Sequence, residues 1–221
     1  MLMVSNNRFI LLLLIFVVSY GLSSAITIDE VYQQLTAKYD TIEYFAASFT
    51  QTNYWKIQDR LMESQGEIYI ANQKMAIIFS SPPGQKMILD ETLYLINEVE
   101  RTMIITDMEH TGGLFKPNDI IDLYWNQSAK ELIVDNEDTY KIVMIPEDDL
   151  YTARAEMIIR RSDFIIVGVS YEDHNKNRVD FNFHDERVNQ RFDMSVFNVT
   201  PDKDYTIIDN RINIPQENTL D

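Results

Sequence analysis

The chain has 221 residues, 35 of them acidic and 19 basic, for a net charge of −16, and it contains no Cys. A balance this acidic repels phosphate backbones and anionic surfaces at long range, which argues against nucleic acid as a partner and against electrostatic docking to a membrane. The absence of Cys fits a secreted protein large enough to fold without disulfides, and it excludes a Cys-linked lipid anchor.

Arg8 precedes an apolar run from Phe9 to Val18, and Ser23-Ser24-Ala25 places small residues where a signal peptidase cuts. Residues 1–25 are therefore expected to be a cleaved secretory leader. The run is too short for a retained anchor, which needs about 20 apolar residues. Residues 26–209 then form one domain, and 210–221 a polar, disordered tail.

Thr27 and Glu30 make a capping box, and Ile28, Val31, Leu35 and Tyr39 recur at helical spacing, so a helix is predicted over 28–39. From Phe45 onward the period changes to two. Strands are predicted at 45–50, 63–70, 74–80, 85–90, 92–97 and 100–106, spaced closely enough to form antiparallel hairpins. Gly112-Gly113, Pro117 and the following Ile120, Ile121, Leu123 and Tyr124 predict a loop and a short helix over 117–124. Strands resume at 131–135, 139–145, 154–161, 164–172 and 178–185, with turns at 136–138 and 175–177, and Phe192–Phe197 is expected as a last short strand. An antiparallel sheet of this many strands curls. The predicted fold class is mainly β with α: an incomplete, curved antiparallel β-barrel of ten to eleven strands, covered by the N-terminal helix and short lid helices.

Several residues, in order, resemble the periplasmic outer-membrane lipoprotein carrier family, LolA. They are Phe49-Thr50-Gln51, then Gly66-Glu67-Ile68, then Pro82 eight residues before Asp90 with Tyr94 beyond, and Phe197-Asn198-Val199-Thr200-Pro201. Tyr205-Thr206-Ile207-Ile208-Asp209 stands where the family has its closing strand. The chain departs from the family at Ala71 and Ile77, where an Arg and a Trp are common, and at Asp90-Glu91, where Asp-Gly is frequent. With Ala71 in place of the Arg, a lid latch cannot be carried over, and Lys74, expected on the opposite strand face from Ala71, is not assigned that role. The resemblance implies an open barrel with a helical lid, working as a monomer in the periplasm. Its cargo would be acylated lipoproteins, passed from an inner-membrane lipoprotein-releasing transporter to an outer-membrane acceptor.

One parity of the central strands is apolar and needs a cover. Phe49, the row Met75, Ile77 and Phe79, the row Met87 and Leu89, the row Leu93 and Leu95, and the row Met103 and Ile105 are the candidates to line a lipid site. Leu114, Phe115, Ile121 and Tyr124 would cover it from the short helix. For each residue alone, ordinary core packing explains the same pattern. Ten Met residues suit an adaptable apolar lining.

No catalytic or metal site is expected. His184-Asp185-Glu186 matches no ligand spacing, and Asp135–Asp138 and Pro146–Asp149 lack the Gly and final Glu of a calcium loop. No nucleophile or paired-carboxylate constellation supports a hydrolase, and no cofactor is implied. The alternative to a carrier is a regulatory module of the same fold that senses lipids or lipoproteins.

Overall fold

The computed structural model describes residues 26–107, 125–134, 136–147, 149–200 and 203–211. Helix α1 (Ile28–Tyr39) begins at the expected capping box: the Glu30 N–H donates to Thr27 Oγ1 at 3.2 Å, and the Thr27 N–H donates to Glu30 Oε2 at 2.7 Å. Its stripe of Val31, Leu35 and Tyr39 is buried. That burial, more than intrinsic propensity, holds a helix of three turns.

Strands β1 (Tyr44–Trp55), β2 (Arg60–Ala71), β3 (Lys74–Ser81), β4 (Pro83–Asp90), β5 (Thr92–Asn97) and β6 (Thr102–Asp107) follow as a meander. A second meander runs through β7 (Ser128–Val134), β8 (Thr139–Pro146), β9 (Arg154–Arg160), β10 (Ile166–Glu172) and β11 (Arg178–Val188). The two join where β1 pairs with β11, so the first strand sits in the middle of one sheet ordered β12-β6-β5-β4-β3-β2-β1-β11-β10-β9-β8-β7. Tight turns keep neighbours in sequence adjacent in space. Between β2 and β3 both turn residues, Asn72 and Gln73, have positive φ, the hairpin geometry that matches strand twist.

The last strand, β12 (Thr206–Asp209), lies where the resemblance placed a closing strand, and it pairs with β6 in parallel. Among the described residues the sheet therefore has twelve strands instead of ten or eleven. Phe192–Phe197 is not a strand. Met194–Phe197 is a turn of 3-10 helix, capped where the Asp193 carboxylate accepts the Ser195 N–H at 2.9 Å. Aromatic burial decides this: Phe192, Val196 and Phe197 pack on the sheet's outer face with Ala71, Ala76, Ile88, Tyr44, Tyr69 and Tyr94. The predicted helix over 117–124 lies outside the described residues, as do the leader and most of the tail.

The inner face carries two cores. In one, α1 lays Val31, Leu35 and Tyr39 against Tyr140, Ile142, Met144, Met157, Ile159, Ile166 and Val169, and Trp125 stacks on Tyr32 at 3.9 Å. The other core belongs to β1–β5 with part of β11.

Candidate functional site

Residues facing each other on adjacent strands point to the same side of a sheet, so the register decides which apolar residues meet. Phe49 lies opposite Gly66 and Phe183, and Gly66 lies opposite Phe79. Ile77 is flanked by Ile68 and Met87, Met75 by Ile70 and Leu89, and these rows continue to Leu95 and Leu93. Phe49, Met75, Ile77, Phe79, Met87, Leu89, Leu93 and Leu95 thus form one apolar wall on the inner face.

Exposure is graded along this wall. Met75 is 0 % and Ile77 8 % exposed, with Leu89 and Leu93 also buried, whereas Phe79, Met87, Leu95 and Phe181 are only half-buried. The gradient rises toward the end of the sheet that carries the β1–β2 hairpin, because Phe79 lies nearer Arg60 in the register than Met75 does. Beyond the apolar rows the same face turns to neutral polar side chains, Gln51 opposite Ser64 and Gln85 opposite Asn97. The wall is a trough in this sense: its side chains are buried at one end and half-buried at the other, where they meet uncharged groups.

Gly66 makes the floor possible. A Cβ there would lie 2.2 Å from the Ile78 carbonyl oxygen and 2.9 Å from the Phe49 ring. The bare backbone lets that ring lie flat across β2 and meet Phe79 edge-on at 5.5 Å and Phe181 at 5.9 Å.

Two expected lining residues do not belong to the trough. Leu95 faces Ile104, Tyr94 faces Ile105 and Ile96 faces Met103, so Met103 and Ile105 point to the outer face. Met103 borders an outer hollow of about 160 Å³ with Asn198, Val199 and Tyr205. Ile104 occupies the inner position instead. The phase flips because Asn97 pairs with Thr102 across the four-residue loop 98–101, which joins odd positions to even ones. Lys74 is likewise paired directly with Ala71, on the same face and not the opposite one, and its ammonium contacts Asp90 at 2.5 Å. Leu114, Phe115, Ile121 and Tyr124 lie outside the described residues. The sequence reading missed Phe181 and Phe183, although their alternation around Asn182 is the same signal as in β1.

A cluster of paired charges lies on the other side of the sheet. Burial pushes the Glu156 carboxyl up, but the guanidiniums of Arg154 at 2.8 Å and Arg178 at 3.2 Å outweigh it and hold the group below its ordinary range. Arg178 also bonds Asp180 at 2.8 Å, which accepts the Ser170 hydroxyl. Among the described residues no cluster of His, Asp and Glu could hold a metal ion. The trough offers burial of apolar matter; none of the wall residues bears a group able to move a proton or attack a substrate.

No family model and no curated protein matches the chain. Among solved structures, an uncharacterized conserved protein from Thermus thermophilus is similar at a TM-score of 0.52, with 13% identity over 82% of this chain and 98% of its own. A LolA superfamily protein from Nitrosomonas europaea is 10% identical over 79% of this chain and 98% of its own, at a TM-score of 0.42. The Pseudomonas aeruginosa MucA/MucB complex aligns over 77% of this chain and 60% of that one, at 8% identity and a TM-score of 0.47. One open curved sheet, mostly strand, with a helix against its inner face, is the incomplete barrel with helical cover expected from the sequence. Among the described residues no helix is long and apolar enough to cross a membrane.

Proposed function

We propose that the protein is a periplasmic carrier that shields the acyl chains of lipoproteins in the β1–β6 trough and takes them from the inner membrane to an outer-membrane acceptor. The observation that carries this reading is the graded apolar wall, buried at Met75 and half-open at Phe79 and Met87, with neutral polar groups beyond. Each methylene exposed to water costs about 0.8 kcal/mol, so two long acyl chains in water cost on the order of 20 kcal/mol. A carrier has to remove that cost and then release the chains. A wall that contains Met75 and Met87 and lacks charges is suited to apolar tails of varied length. The leader-like residues 1–25 and the LolA-like motifs support the compartment and the cargo class. The role is binding, not turnover, with a lipoprotein-releasing transporter as donor.

Mass spectrometry of protein purified from its native compartment tests this directly. Acylated species should travel with it, and the purified protein should extract a lipoprotein from membranes. Protein that carries no acylated species and extracts nothing would end the carrier proposal. Recovery of a membrane-bound regulator in place of a transporter would favour the sensing module.

A further inference from the structure

The end of the sheet toward which the trough opens has a feature that the wall does not account for. Three turns meet there and are tied together. The Lys56 N–H, in the β1–β2 turn, donates to Asn177 Oδ1 at 3.0 Å, and His174 Nε2 lies 2.8 Å from the Asp149 carbonyl oxygen in the β8–β9 loop. On these tied turns stand Ile57, Leu150 and Tyr151, exposed by 86 %, 83 % and 78 %. Behind Ile57, the Arg60 guanidinium sits 5.9 Å from the Trp55 ring centre.

We propose that these three tips are a membrane-contact surface that enters the boundary between head groups and acyl chains of a zwitterionic bilayer. The inference deepens the carrier reading and rests on it for its purpose, since a trough that exchanges acyl chains gains from having its open end held against hydrocarbon. Three observations favour lipid over a protein partner. A protein interface has a continuous apolar centre and a polar rim; here the order is reversed, with the polar turn Asp173–Asn177 between Ile57 on one side and Leu150 and Tyr151 on the other. Separate protruding apolar points suit a fluid medium that needs no matching shape. An indole and a phenol just behind or beside the apolar points, with a guanidinium on the indole, are the side chains that settle at a membrane boundary. Asp59, Glu63, Glu147, Asp149 and Asp173 stand among the cations Lys56, Arg60 and Lys176, and with the net charge of −16 they disfavour an anionic surface.

The protein contains two Trp, and Trp125 is buried against Tyr32, so Trp125→Phe leaves Trp55 as a single reporter at the tips. With purified protein, phosphatidylcholine vesicles should shift Trp55 emission to the blue, and brominated acyl chains should quench it. Vesicles rich in phosphatidylglycerol should bind more weakly at low salt, and the difference should shrink as salt rises. Ile57→Asp with Leu150→Asp should lower vesicle partition by about tenfold or more, as should Tyr151→Ser in part, while uptake of a fluorescent fatty acid stays at the parent level. Phe79→Asp should lose fatty-acid uptake and keep vesicle binding, so a failure of the carrier reading and a failure of this one are seen separately. No Trp55 response to either vesicle, or vesicle binding unchanged in both tip variants, overturns the proposal. Tip variants that lose only a purified membrane-protein partner would also overturn it and assign the tips to protein docking.

Discussion

Gly66 and Phe79 are the residues through which the trough can be probed most sharply. Gly66→Ala puts a methyl group on the Ile78 carbonyl oxygen, a backbone atom that cannot swing away. A loss of about 3 kcal/mol is expected, read as a lowered denaturant midpoint at unchanged slope. Phe79→Asp places a carboxylate at the half-open end, where water can reach it, so acyl uptake should vanish while the circular dichroism stays that of the parent. Ile105→Asp, three strands further on and on the outer face, should leave uptake intact. Uptake that survives the first change and is lost in the second would mean the wrong face has been assigned to cargo. Glu156 supplies a pH test at the same scale. Its carboxyl lies below the ordinary 4.5 when folded, so its contribution to stability is present above that value and fades as pH falls through the folded value beneath it. Glu156→Gln should therefore be less stable than the parent at pH 7, and urea titrations below about pH 4 should find the gap narrowed.

Elements differ in how plainly the sequence announces them, and the reasons are physical. α1 was legible to its ends because its cap and its four-residue repeat are both local. The strands of the first meander were legible because each keeps a two-residue period. β6 was placed but its face was read in the wrong phase: Met103-Ile104-Ile105 is apolar throughout, since the C-terminal segment lies near its outer side. Alternation vanishes when both faces are covered, and only the loop length then fixes the phase. Phe192–Phe197 deceived for a related reason. Its aromatic residues serve outer-face packing in a turn, and apolar residues over so short a span do not distinguish strand from coil. Which half of the sheet α1 fills was not legible at all, because it depends on the β1–β11 pairing between residues far apart in sequence. That docking has its own test. The Tyr39 hydroxyl, whose pKa burial pushes up, accepts the buried Ile166 N–H at 3.1 Å. Tyr39→Phe leaves that N–H without this acceptor and should cost about 1–3 kcal/mol, whereas the fatty-acid affinity of the other half of the sheet should not change.

For the whole molecule, the decisive contacts are those made after β11 ends. The chain leaves the middle of the sheet, crosses the outer face over Ala71, Ala76 and Ile88, and lays β12 alongside β6 at the far edge. The resemblance to LolA located this closing strand in the sequence, but its parallel pairing is visible only in three dimensions. The chain has no Cys, so a pair introduced as Met103→Cys and Ile207→Cys, at facing positions of β6 and β12, would form one unambiguous crosslink. Uptake and release of a fluorescent fatty acid should be the same with the crosslink oxidised or reduced. Release that stops on oxidation would show that the edge must detach during the cycle. If it need not, the crossing segment acts as a girth band around the wall, fixing the width of the vessel when the chain folds. Longer or bulkier tails would then find room by the bending of thioethers at Met75 and Met87, with the staves themselves staying where they are.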